Sequence, residues 1–92
     1  MNIQVKHLEL QVSIQDHQTQ HIYLHLWQKA LEFNLKGMIH VQQQIITVEL
    51  EGAKQTIDEF IRIVTAFPSA SIISMSVDKP LNNYATLTTN VW

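Results

Sequence analysis

Cysteine is absent from this 92-residue chain, arginine occurs once, and glycine and proline occur twice each. Without cysteine the chain can form neither a disulfide nor a thiolate metal site, and its redox compartment is left open. Charge is also sparse, with six basic and eight acidic side chains and a net charge of −2. That balance provides no basic surface for nucleic acid or for anionic lipid. These absences exclude disulfide-stabilised folds and thiolate metal sites, and they argue against binding to nucleic acid or to anionic lipid.

Long apolar runs are also missing, since none approaches the ~18 residues that a membrane span needs. The first six residues, MNIQVK, lack the basic and apolar regions of a secretory signal. Apolar residues nevertheless make up 46% of the chain, which is ample for a core. We therefore expect one soluble cytoplasmic domain over residues 1–92, with no membrane partner.

The first third of the chain predicts a strand, a loop and a helix. Leu8, Leu10, Val12 and Ile14 alternate with polar residues, as in a half-buried strand. Ile3 and Val5 alternate in the opposite phase, so we expect a bulge or a break near Lys6 and His7. Residues 15–20 show neither the alternation of a strand nor the spacing of an amphipathic helix, so they predict a loop. Apolar residues then recur at helical spacing from residue 21 to 35, and Gly37 is the expected helix terminator.

The remaining residues predict a hairpin, a second helix and two more strands. Residues 38–41 and 45–50 are short strands joined by a glutamine turn. Ile57, Phe60, Ile61 and Val64 have helical spacing, and Pro68 ends that helix. Ile73, Met75 and Val77 alternate in a fourth strand, and residues 84–92 predict a fifth after a turn at residues 80–83.

This order defines the fold class. A β-α-β-β-α-β chain with right-handed crossovers forms a ferredoxin-like α+β sandwich, with two helices on one face of an antiparallel sheet. The fifth strand is an extra strand at the C-terminal end. No linker or repeat divides the chain.

Two passages resemble the acylphosphatase family. Residues 30–37, ALEFNLKG, are similar to that family's approach to its second strand. Residues 48–52, VELEG, followed by Ile57 and Phe60, resemble its passage into the second helix. The resemblance extends over nearly the whole chain, and its motifs are mostly structural glycines and core positions. It implies the same ferredoxin-like fold.

The resemblance also implies where a phosphate site should lie. Acylphosphatases hydrolyse carboxyl-phosphate anhydrides with a glycine-rich loop after strand one, an arginine at its end and an asparagine after strand two. Residues 13–23 contain no glycine here. Counting back from Gly37 places Tyr23 within one residue of the arginine position, and counting forward places His40 or Val41 at the asparagine position. The single arginine, Arg62, lies on the outer side of the second helix, so we predict that this chain is not an acylphosphatase.

A second family, the blue-light flavin-binding (BLUF) domains, shares the fold. Its passage between strand two and helix two has the spacing found between Gly37 and Gly52. In that family a tyrosine in strand one and a glutamine in strand three hydrogen-bond the flavin. Gln11 and Val48 stand at these positions, and the loop before the first helix is shorter. We therefore predict no flavin and no other cofactor.

Histidines offer weak candidates for a metal site. His17, His21 and His25 recur every four residues, and histidines at i and i+4 on a helix can chelate a metal. His40 lies on the strand that follows Gly37, and it can lie near the same end of the sheet as these three histidines. On a helical wheel, however, His21 and His25 lie opposite the apolar positions. We expect them to be solvated, with no metal bound.

The same region holds the only candidates for catalysis. His17, His21, His40 and Tyr23 are the residues that a divergent hydrolase would use, with Asp16 as an acid–base partner of a histidine. No serine or cysteine nucleophile is placed beside them. The sequence therefore predicts that these residues are not catalytic.

The favoured function is protein–protein contact, either with an unidentified partner or with a second copy. Low net charge, an open sheet edge and the apolar Val91 and Trp92 favour a homodimer, with the fifth strand or Trp92 near the contact. Two alternatives stay open, both using the loop before helix one. One is a divergent acylphosphatase-type hydrolase, and the other is a small-ligand regulatory module with a pocket at a dimer interface.

Overall fold

The part of the chain that the structure describes, residues 5–15, 17–77 and 87–91 of a computed structural model, contains five strands and two helices. The elements are β1 (Val5–Ile14), α1 (Thr19–Glu32), β2 (Lys36–Gln42), β3 (Ile45–Ala53), α2 (Lys54–Thr65), β4 (Ala70–Ser76) and β5 (Leu87–Val91). The predicted order is confirmed. Asp16, the turn expected at residues 80–83, Tyr84 and Trp92 lie outside the described residues.

The strands form one sheet in the order β4-β1-β3-β2-β5. β1 pairs antiparallel with both β3 and β4, and β2 pairs antiparallel with β3. These four strands and the two helices form the predicted ferredoxin-like sandwich. β5 joins the free side of β2 in a parallel orientation, so the whole sheet is mixed rather than antiparallel.

A single apolar core lies between the helices and one face of the sheet. The alternation along β1 places Leu8, Leu10, Val12 and Ile14 in this core, as expected for a strand with one covered face. Phe60, at the centre of α2, is completely buried. The other core side chains come from α1, the segment after it, β2, β3 and α2: Ile22, Tyr23, Leu26, Ala30, Leu35, Ile39, Val41, Ile46, Val48, Leu50, Ile57 and Val64.

Helix α1 is ended by Asn34 rather than by the predicted Gly37. Asn34 adopts a left-handed conformation with φ of +58°. The Asn34 N–H donates to the Leu31 carbonyl, and the Leu35 N–H donates to the Ala30 carbonyl. This pair of hydrogen bonds is the Schellman arrangement, in which an apolar residue after the left-handed position packs back on the helix. Asparagine tolerates this conformation better than most residues, so it replaces glycine here.

Gly37 has a different role, inside strand β2. It lies opposite Leu50 of β3 with φ of +140°, a region that side chains disfavour. A Cβ atom added to Gly37 would overlap the backbone carbonyl oxygen of Glu49. The glycine therefore allows β2 and β3 to approach each other at the start of the hairpin.

The register of the sheet departs from one expectation. The bulge predicted near Lys6 and His7 is wrong, because β1 pairs with β3 without interruption from Val5 to Ser13. An irregularity occurs instead between β1 and β4, where the register shifts between Gln11 and Val12. A bulge of this kind adds a residue to one strand and interrupts its alternation.

The loop before α1 is shorter than predicted, because the helix begins at Thr19. The turn between β2 and β3 contains Gln43 with φ of +56°, although the sequence has no glycine there. Neither described helix has both the length and the apolar character needed to cross a membrane.

Candidate functional site

The two positions that the acylphosphatase resemblance assigns to catalysis are part of the core. Tyr23 lies in the second turn of α1 and is 3% exposed. Val41 lies near the end of β2 and is 4% exposed. Neither position presents a charged or amide group to the loop that follows β1. His40, the other candidate for the asparagine position, points to the opposite face of the sheet because side chains alternate along a strand.

Two backbone donors of the loop between β1 and α1 form hydrogen bonds within the protein. The Gln15 N–H donates to the Ser69 carbonyl at 2.8 Å, and the Gln18 N–H donates to the Gln15 carbonyl at 3.3 Å. His17 is exposed and has φ of +60°. A phosphate cradle needs successive backbone N–H groups that point at the anion. At Gln15 and Gln18 these groups point at carbonyl oxygens instead.

The candidate histidines are spread over three environments. His17 lies in the loop, and His21 lies exposed in the first turn of α1. His25 was expected to be solvated, but it is half-buried, and its ring meets Phe67 edge-on at 5.3 Å between centroids. His40 lies on the sheet face away from the helices. Within the described ranges no group of three or more histidine, aspartate or glutamate side chains is placed to hold a metal ion.

The second face of the sheet, which we call the open face, carries most of the ionisable side chains of the sheet. The pairing of β2 with β3 puts Met38 opposite Glu49 and His40 opposite Thr47. These four side chains line a shallow depression of about 210 Å³. Imidazole, carboxylate and hydroxyl groups can exchange hydrogen bonds there, and a carboxylate can accept from a cationic group. No thiol or primary amine lies among the four lining residues.

A buried histidine on the open face was not identified from the sequence. His7 is 1% exposed, and its Nδ1 lies 3.1 Å from Oε2 of Glu51 on the neighbouring strand. Its Nε2 lies 3.8 Å from Oε1 of Glu9. The alternation along β1 already puts His7 and Glu9 on one face. The contact with Glu51 depends on the β1–β3 register, which the sequence pattern does not specify.

The two flavin-contact positions of the BLUF resemblance lie on different faces of the sheet. Gln11 is exposed on the open face, and Val48 is fully buried under the helices.

The single arginine behaves as predicted for a surface residue. Arg62 is 74% exposed and pairs with Glu59 at 2.8 Å on the same helix.

Strand β4 forms one edge of the sheet and exposes large apolar side chains. Ile72, Ile73 and Met75 are 38%, 54% and 49% exposed. Seven residues, ASIISMS, make up the strand, and none of them is charged or a proline. Edge strands usually carry charged residues or proline that discourage pairing with another chain. A bulge can also discourage pairing, and β4 has an irregularity of this kind opposite Gln11 and Val12.

Comparisons with known proteins identify the fold. No protein-family model matches the chain, and no curated protein matches it in sequence. Solved structures match it over nearly its whole length. Acylphosphatase from Bacillus subtilis is 13% identical with a TM-score of 0.69, and the match covers 97% of this chain and 100% of that one.

Larger proteins contain the same fold as one part. Full-length HypF in its phosphate- and nucleotide-bound form is 20% identical with a TM-score of 0.71, and a bacterial light-regulated adenylyl cyclase is 15% identical with a TM-score of 0.69. The chain spans only 13% of the HypF structure and 28% of the cyclase, although 99% and 96% of it are matched. At these identities the likeness concerns the fold alone. The chain has an acylphosphatase-like fold of the ferredoxin-like class.

Proposed function

We propose that this chain is a non-catalytic acylphosphatase-like domain that works by contact between protein chains, in the simplest case by self-association. One observation carries the non-catalytic half of the proposal: Tyr23 and Val41 are both core residues. An acyl phosphate is an anion, and its hydrolysis requires a cationic group and backbone donors directed at the phosphate. A buried phenol and a buried isopropyl group supply neither.

The β4 edge supports the interaction half of the proposal. Apolar side chains in water favour burial by about 25 cal/mol for each Å² removed from solvent. A strand that exposes Ile72, Ile73 and Met75, and whose outer side faces no other strand of the described sheet, offers both apolar area and hydrogen bonds to another chain. The function is therefore binding at the sheet edge rather than chemistry in the loop.

Hydrolysis of benzoyl phosphate tests the non-catalytic half. We expect the purified protein to match the buffer control, while acylphosphatase from Bacillus subtilis, assayed in parallel, hydrolyses the substrate. A rate well above buffer that disappears in His21→Ala or His40→Ala would show a divergent hydrolase. The same result would overturn the proposal.

Size-exclusion chromatography with light scattering tests self-association. We expect a homodimer at micromolar concentration, since a net charge of −2 leaves little repulsion between copies. A twofold dimer is the commonest closed assembly for identical chains. A protein that stays monomeric at a concentration of ~1 mM, a thousandfold above that range, would refute self-association.

A further inference from the structure

We infer that the contact is an antiparallel pairing of β4 (Ala70–Ser76) with the β4 strand of a second copy, and this inference rests on the proposed self-association. Exposed large apolar side chains elsewhere in the described residues are at least seven positions apart in the sequence: Val5, Leu24, Leu31 and Ile45. β4 alone brings three of them together within four positions, at Ile72, Ile73 and Met75. The concentration of apolar surface at one edge distinguishes β4 from the rest of the surface.

The register explains why these side chains are uncovered. Met75 pairs with Leu10, and Ile72 pairs with Val12, so both pairs share the helix-covered side of the sheet. Leu10 and Val12 are completely buried, whereas Met75 and Ile72 keep much of their surface in water. The helical layer therefore leaves Ile72 and Met75 of β4 largely uncovered. The core is incomplete along this edge.

A second copy completes the core because the contact is self-complementary. A twofold axis perpendicular to the sheet makes two β4 strands antiparallel and keeps both helical layers on the same side. The exposed Ile72 and Met75 of each copy then lie on that same side, beside those of the partner. Two edges that lack charge can meet without desolvating an ion or placing like charges together.

The irregularity in β4 limits the strength of this contact. A bulge bends its strand and shortens the stretch that can pair in regular register. A contact centred on seven residues belongs at or below the low end of specific interfaces, ~1,200 Å² of total buried surface. We therefore expect a reversible dimer with micromolar affinity rather than a permanent one.

A pair of matched lysine variants tests the location of the contact. Ile73→Lys and Leu31→Lys change side chains that are 54% and 51% exposed, so they perturb folding to a similar small extent. We expect sedimentation velocity to show at least a tenfold weaker dimer for Ile73→Lys, since lysine at an edge opposes pairing. Leu31→Lys should stay within about twofold of the wild type, because α1 is outside the contact.

The outcomes separate this inference from the proposed function. If wild-type protein is dimeric and Ile73→Lys dimerises as well as Leu31→Lys does, β4 is not the contact, and self-association stands by another surface. Deleting residues 90–92 then tests the other edge of the sheet. If wild-type protein is monomeric, self-association itself is refuted. Circular dichroism confirms that each variant is folded.

Single-cysteine cross-linking provides a second readout that does not depend on weakening the dimer. The chain has no cysteine, so each introduced thiol is unique. Paired residues across an antiparallel ladder have Cα atoms ~4.5–5.5 Å apart, within reach of a disulfide. We expect Ser71→Cys, Ile73→Cys or Ser74→Cys to give mainly cross-linked dimer under mild oxidation. Gln28→Cys, on an exposed position of α1, should remain monomeric on a denaturing gel. Equal cross-linking at Gln28 would contradict pairing through β4.

Discussion

Replacing Gly37 by alanine should be among the most damaging one-carbon changes in this protein. Two effects add at this position. A φ of +140° is strained for any residue with a side chain, which costs ~1–3 kcal/mol. The new Cβ would also overlap the Glu49 carbonyl oxygen, and this atom cannot rotate away because it belongs to the backbone of β3. Displacing β3 weakens at least one ladder hydrogen bond, worth about 1 kcal/mol.

The expected loss is therefore about 2–4 kcal/mol, out of a total stability of ~5–14 kcal/mol for a chain of this length. Gly52→Ala is the matched control, because the one atom that its Cβ would overlap is at the end of the Leu35 side chain, which can move. We expect that change to cost less than about 1.5 kcal/mol. Urea denaturation followed by far-ultraviolet circular dichroism measures both. A Gly37→Ala variant that is as stable as Gly52→Ala would refute the close approach of β2 and β3.

Other substitutions test the core and the helix ends by the same denaturation assay. Phe60→Ala and Leu26→Ala should each lose about 2–5 kcal/mol, because both side chains are completely buried. Arg62→Ala should lose under about 0.5 kcal/mol, and if it proved the most damaging of the three, the assignment of the outer face of α2 would be wrong. Asn34→Ala should lose about 1 kcal/mol at its left-handed position, whereas Asn34→Gly should be neutral or stabilising. The reverse order for the two Asn34 variants would contradict the Schellman ending of α1.

Local patterns in the sequence were sufficient to predict the order of elements and the covered faces of β1 and α2, but not that of β4, where Ile73 and Met75 are exposed. Alternation along β1 and helical spacing along α2 correctly placed Leu10 and Phe60 in the core, because periodicity reports which side of an element is buried. The exposed position of Arg62 followed from the same reasoning. These features depend on residues that are close in the chain.

Features that depend on pairing between distant segments were not predictable. The contact of His7 with Glu51 requires the β1–β3 register, and the irregularity in β4 requires its register with β1. The end of α1 was misplaced because asparagine can replace glycine at a left-handed position, and Asn34 does so. The apolar β4 edge was also missed, since alternation does not reveal where the helical layer stops.

The burial of Tyr23 has a consequence for how this fold can gain or lose a chemical activity. Introducing an arginine at position 23 would place a permanent charge at a site that is 3% exposed, next to other core residues. An unpaired buried charge is strongly destabilising, by several kcal/mol. A route from this chain to a hydrolase, taken one substitution at a time, would therefore pass through poorly folded intermediates unless the loop and the surrounding core changed first. Loss of such a site meets no equivalent barrier, because replacing a buried arginine by an apolar residue removes the cost of burying its charge.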